Sequence, residues 1–127
     1  MSTQAAVLLA ILLVGHFLGD FTPLATARMQ KAKANGGPMR WIAAHAALHA
    51  LLTGLVVAAV AGPEPSLLAM AIGLQFLTHW ALDAFRARLG VRIPALADPG
   101  KNVYWTALGL DQLAHALVVL GITVIVV

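Results

Sequence analysis

The chain has 127 residues and a net charge of +3, and it is 61% hydrophobic but only 10% charged, whereas an ordinary soluble domain is about 25% charged. This composition argues against a soluble enzyme, a disordered tail and a soluble nucleic-acid-binding domain, and it predicts one polytopic membrane domain over residues 1–127. The absence of cysteine excludes disulfides, thiolate catalysis and cysteine-ligated zinc.

Four apolar segments are each close to the length of about 20 residues that a membrane-spanning helix needs. They cover residues 4–22, 39–61, 66–86 and 103–126. Between the first two, Thr22 followed by Pro23 predicts the start of a short amphipathic helix, which ends before Gly36. The expected fold is therefore all-α, a bundle of four transmembrane helices.

The basic residues predict the orientation of the bundle. All eight fall in or beside the first and third connections, namely Arg28, Lys31, Lys33, Arg40, Arg86, Arg88, Arg92 and Lys101. The second connection, residues 62–65, carries only Glu64. Because basic loops stay in the cytoplasm, we expect both termini to face the outside of a bacterial inner (plasma) membrane.

Each apolar segment contains one pair of histidine or aspartate residues spaced i, i+4. The pairs are His16 and Asp20, His45 and His49, His79 and Asp83, and Asp111 and His115. Residues with this spacing lie on one face of a helix, one turn apart. Counting turns from the cytoplasmic ends predicts a shallow layer of Asp20, His45, Asp83 and Asp111 above a deeper layer of His16, His49, His79 and His115.

A buried metal centre explains these polar residues best. A carboxylate near the middle of a bilayer costs at least about 2.5 kcal/mol, and a divalent cation offsets that cost by binding carboxylate and imidazole together. Four-helix bundles hold pairs of ions in this way, and a nitrogen-rich donor set suits zinc or iron. Two alternatives remain at this point: a metal-free network of Asp–His hydrogen bonds, and a haem between two histidines, which leaves the aspartates unexplained.

The predicted activity is metal-dependent hydrolysis of a lipid or lipid-linked phosphate or ester. An anionic lipid is attracted to the basic rim, Arg86 is placed to bind it, and Asp20 or Asp83 is placed to act as general base. The expected partners are therefore the bilayer and an anionic lipid, and no nucleic acid. Two other classes stay open: a transition-metal or proton transporter or metal sensor, and a di-iron or haem redox protein.

The order of these motifs resembles a small bacterial integral-membrane family, domain of unknown function 3307. The elements are His16-x-x-x-Asp20-Phe21, a basic segment with Lys31, His45 with His49, His79-x-x-x-Asp83, and Asp111-Gln112-x-x-His115. The resemblance covers nearly the whole chain, and Asp-Gln-x-x-His is its most specific element. The chain departs from the family pattern at Leu24, often a glutamine, and at Arg86, often a lysine. The resemblance implies a membrane protein with this His/Asp set but no particular reaction.

Overall fold

The computed structural model describes residues 1–127 and contains only helices, which confirms the all-α prediction. The α-helices are α1 (Thr3–Phe21), α2 (Ala27–Asn35), α3 (Met39–Val60), α4 (Pro65–Arg92) and α5 (Asn102–Val126), and a single 3₁₀ turn (Pro94–Leu96) precedes α5.

Four of these helices, α1, α3, α4 and α5, are long and apolar enough to cross a membrane. The 22 residues of α3 correspond to about 33 Å, close to the thickness of a bilayer core of about 30 Å. Their outward faces carry apolar side chains that are more than half exposed, such as Leu51, Leu55, Leu113 and Leu117. Exposed leucines of this kind are what a lipid-facing surface requires, so the predicted multi-pass architecture is supported.

The four long helices form a ring in the order α1, α3, α4, α5, with α5 returning to α1. The short α2 lies across one end of this ring and packs against α3 and α4. Ala32 of α2 is fully buried against Ile42, Ala84 and Ala87, and these small side chains allow a close approach. We call this end, which also carries the 3₁₀ turn and the basic residues, the basic end.

The start of α2 differs from its prediction. Thr22 does not cap α2, because that helix begins only at Ala27; the Thr22 hydroxyl donates to the carbonyl of Leu18 at 2.5 Å, at the end of α1. Thr26 is the N-cap instead, and its side chain accepts a hydrogen bond from the amide of Met29. The predicted end is confirmed, since Gly36 takes a left-handed conformation at φ 75° that favours glycine.

The interior of the bundle has two zones along the helix axes. Towards the end opposite α2, the buried residues are apolar, and we call this group the apolar plug: Leu8, Leu12, Val57, Ala71, Val119 and Ile122. Between the apolar plug and the basic end, the interior holds the buried histidines and aspartates, beside apolar residues such as Ile42, Ala46 and Ala50. The helices thus place every paired histidine and aspartate in one half of the bundle.

Candidate metal centre

The paired residues of all four long helices converge in the polar zone. His45, His49, His79, Asp83 and His115 are each at most 2% exposed. The imidazole rings of these histidines pack closely, and the stacked rings of His49 and His79 have centroids only 3.8 Å apart. The i, i+4 spacing therefore turns each pair inward, as the sequence predicts.

Ligand atoms of six of these residues form two overlapping groups. The first ligand group contains Asp20, His45, His49 and His79, and the second ligand group contains His79, Asp83 and His115. Within each group, one potential ligand atom from every residue lies within 4.8 Å of the others. Because His79 belongs to both groups, the two positions are adjacent. This buried cluster could hold a metal ion.

Several imidazole nitrogens in these groups have no hydrogen-bond partner. They include Nε2 of His49, both nitrogens of His79 and Nε2 of His115, all buried. Nε2 of His49 lies 3.3 Å from Asp20 Oδ1, and Nε2 of His79 lies 3.3 Å from Asp83 Oδ2. Buried polar groups are rarely left unpaired. Imidazole nitrogens that face carboxylates without bonding to them are what a set of metal ligands arranged around shared cations would show.

The backbone of α5 fixes the orientation of one of these imidazoles. Nδ1 of His115 lies 2.8 Å from the carbonyl oxygen of Asp111, and a carbonyl can only accept a hydrogen bond. Nδ1 therefore carries the proton, and Nε2 presents its lone pair towards the carboxylate of Asp83, 3.8 Å away. Metal-bound histidines are commonly fixed by a partner of this kind.

Asp20 is the most highly connected member of the cluster. Its Oδ1 lies 2.9 Å from Nε2 of His45, and its Oδ2 accepts a hydrogen bond from the side-chain amide of Gln112 at 3.1 Å. Directly before Asp20, Gly19 makes room for His49, because a Cβ atom there would lie 2.6 Å from His49 Nε2. The contact of α1 with α3 at this depth depends on that glycine.

The other two predicted ligands, His16 and Asp111, lie beside the two groups rather than within them. Nε2 of His16 is 3.3 Å from Gln112 Oε1 and 3.4 Å from Asp20 Oδ2. The Asp111 carboxylate is partly exposed, and its Oδ1 is 3.9 Å from His115 Nδ1. Both residues thus lie close to the cluster without completing either ligand group.

The structure adds one residue that the sequence reasoning assigned only to the basic rim. Nζ of Lys33 lies 3.1 Å from Asp83 Oδ1 and 3.5 Å from Asp20 Oδ1. Burial lowers the pKa of Lys33, but the carboxylates of Asp83 and Asp20 outweigh burial and raise that pKa above its ordinary value. The sequence contains a signal that Lys33 faces the protein interior. Positions 29, 32 and 33 share one face of α2, and Met29 and Ala32 on that face are apolar.

A cavity of about 460 Å³ connects the cluster with the basic end, and we call it the mouth cavity. Its polar lining includes Lys33, Asp83, Arg86, Tyr104, Asp111 and Gln112. Arg86 is held in place there, since its Nη2 donates to the carbonyl of Leu96 at 2.6 Å. The cluster is therefore reachable from the basic end.

Comparison with known proteins identifies the family. No curated protein and no solved structure matches the chain. The model of a family described as protein of unknown function (DUF3307) matches residues 8–127, which include all the ligand groups and the mouth cavity. Because this match covers nearly the whole chain, the protein belongs to the DUF3307 family.

Proposed function

We propose that the protein is a metal-dependent hydrolase of the bacterial inner membrane, with its basic end in the cytoplasm, that acts on a lipid or lipid-linked phosphate or ester. The observation that carries this proposal is the position of two adjacent ligand groups, which are buried at the floor of a cavity that opens at a basic surface. An anionic headgroup would be attracted to that surface and could reach the cluster without leaving the interface.

The donor set favours zinc or iron. The two groups together supply four imidazoles and two carboxylates, and nitrogen-rich sets suit these metals better than magnesium or calcium. A divalent ion held by these imidazoles and carboxylates would supply Lewis acidity and lower the pKa of a bound water. The adjacency of the groups through His79 supports a binuclear centre.

The arrangement favours Asp111 as the general base. Asp20 and Asp83, the bases expected from sequence, both belong to the ligand groups, and a carboxylate committed to a cation is a poor proton acceptor. Asp111 lies outside both groups and lines the mouth cavity. Its side chain keeps some solvent exposure at 12%, as a group that exchanges protons with water requires.

The closed side of the cluster argues against a transport pathway. Beyond His16 and His49 the bundle encloses only a cavity of about 10 Å³, room for about one water molecule. The apolar plug then fills the interior towards the opposite end. A through-pathway for ions needs polar groups along its length, so a site open on one side fits the packing better.

A haem protein fits the packing poorly. The imidazoles of His16, His49, His79 and His115 pack directly against each other, with centroid distances between 3.8 and 5.6 Å. A haem bound between two of these histidines would need space for its whole macrocycle between their rings, and the rings leave no such space. A di-iron centre uses the same ligands as a di-zinc centre and is distinguished by the metal that the protein retains.

The proposal is tested with the purified protein in detergent. We expect wild-type protein to retain about two equivalents of zinc or iron in elemental analysis, and to hydrolyse at least one member of a panel of phospholipids and polyprenyl phosphates. Asp111→Asn should keep the metal but lower turnover by about 10²- to 10⁴-fold, the usual contribution of a positioned base. Asp98→Asn is the matched control, because Asp98 is exposed in a loop where it accepts from the amide of Gly100.

Two results would contradict the proposal. Wild-type protein that binds no metal would remove its basis. Fully metal-loaded protein that hydrolyses nothing in the panel, but moves metal or protons across liposomes, would replace the hydrolase with a transporter.

A further inference from the structure

Among the basic residues of α2, Lys33 alone points into the cluster. Arg28 and Lys31 are exposed, as residues that only report topology would be. The ammonium of Lys33 instead contacts one carboxylate from each ligand group, Asp20 and Asp83, and lies 3.3 Å from Nε2 of His45. Lys33 therefore contacts the same atoms that a cation in either group would use.

A divalent ion and the Lys33 ammonium compete for these atoms. Oδ1 of Asp20 is both a potential ligand and an ion-pair partner of Lys33, and two cations that share one oxygen repel each other strongly in a site with little water. An ion that enters the first ligand group must therefore displace the ammonium. The lysine side chain also lines the mouth cavity, so the displaced ammonium stays near Arg86.

The charge of the mouth cavity then changes sign. The cavity is lined by three carboxylates and two cations, which gives a net charge of −1. The carboxylates are those of Asp20, Asp83 and Asp111, and the cations are Lys33 and Arg86. One divalent ion makes the net charge +1 and two ions make it +3. The mouth cavity of the metal-free protein therefore repels an anion, and the mouth cavity with one or two ions attracts it. A phosphoryl group, which carries up to two negative charges near neutral pH, matches the loaded state better than a neutral ester does.

We propose that Lys33 is a displaceable cation: it holds Asp20 and Asp83 in the metal-free protein and, once metal binds, joins Arg86 in binding the phosphoryl group of the substrate. This inference rests on the proposed function, because it requires the metal centre and chooses phosphate over carboxylic ester as the substrate class. It assigns Lys33 two opposite effects, since the lysine weakens metal binding and strengthens phosphate binding.

The test measures both effects in one variant. Lys33→Met keeps an unbranched side chain and removes the charge, so its affinity for Zn²⁺ alone should rise at least about tenfold relative to wild type. Binding of inorganic phosphate to the zinc-loaded protein, measured calorimetrically, should fall at least about tenfold. Lys31→Met makes the same change on the exposed face of α2 and should alter neither affinity. An unfolded variant cannot explain the result, because unfolding does not tighten metal binding.

The outcomes separate this inference from the proposed function. If wild-type protein binds neither Zn²⁺ nor Fe²⁺, both are overturned. If wild type binds Zn²⁺ but Lys33→Met binds it equally or more weakly, or if the variant keeps its phosphate affinity, only the role of Lys33 is overturned. Phosphate binding that is equally strong without metal also overturns that role. Short-chain phosphatidic acid in the same assay distinguishes the source of the phosphoryl group: tighter binding than inorganic phosphate assigns a lipid, and equal binding assigns the free anion.

Discussion

Gly19 offers the sharpest test of the packing that supports the metal centre. A Cβ atom at this position would lie 2.6 Å from Nε2 of His49, against the 3.4 Å at which ordinary contact begins. Cε1 of the same ring would be closer still, so in Gly19→Ala the imidazole must move by at least about 0.8 Å, several times the tolerance of about 0.2 Å for a metal–ligand distance. We expect the affinity for metal to fall at least about tenfold, as when the support of a ligand is removed.

Gly15 provides a matched control one turn earlier on the same helix. A Cβ atom there meets nothing within 4 Å, so Gly15→Ala adds only the helical preference of alanine, worth about 0.5–1 kcal/mol. Gly19→Ala gains the same helical preference, but it also loses about 1–3 kcal/mol of stability through overpacking against His49. The difference between the two variants therefore isolates the contact with His49.

The assay compares zinc affinity by chelator competition and thermal stability in detergent, with and without metal. Gly19→Ala should bind zinc more weakly and gain less stability from it, while Gly15→Ala should match wild type in affinity. Equal zinc affinity in the two alanine variants would refute the reasoning, because it would show that His49 is not a ligand or that α1 does not pack against it.

Two further outcomes follow from the cluster and the charge pattern. His79→Ala should lose both metal equivalents in elemental analysis, because His79 belongs to both ligand groups, whereas Asp98→Ala should keep both; a full metal content in His79→Ala would place the centre elsewhere. Reporter fusions at Val127 and within residues 62–65 should be periplasmic, and a fusion near Gly36 should be cytoplasmic. A cytoplasmic carboxyl terminus would reverse the predicted orientation and the side from which the substrate enters.

The convergence of the histidines and aspartates could be predicted because it depends on local geometry. A pair such as His79 and Asp83 shares one helix face whatever the neighbouring helices do, and a membrane strongly disfavours turning that face towards lipid. These two facts are enough to place the polar residues inside the bundle. The length of an apolar segment likewise determines that a helix can span, without any knowledge of its partners.

What could not be predicted depends on packing between elements. The spacing of Lys33 from its neighbours does not reveal that α2 folds back over the bundle, because that position depends on Ala32 fitting against Ala84 and Ala87. The separation of Asp111 from the ligand groups likewise depends on how α5 is rotated against α1 and α4. The start of α2 also differs from the prediction, because the chain makes a turn after Thr22, where the amide of Ala25 donates to the carbonyl of Thr22, and the helix begins only at Ala27.

The two zones of the bundle explain how a membrane protein of this size can hold an open polar site. The apolar plug supplies close packing in the other half of the bundle, where the hydroxyl of the buried Thr123 donates to the carbonyl of Val119, so the bundle does not depend on the cluster to stay closed there. Placing the cluster near the basic end keeps its carboxylates within reach of Lys33 and of water, which reduces the cost of charge inside a membrane. A substrate with one apolar and one anionic end could then remain in the bilayer while its charged group enters the mouth cavity. This division of the bundle into an apolar half and a half that holds the cluster supports the proposal of chemistry at the interface rather than passage through the bundle.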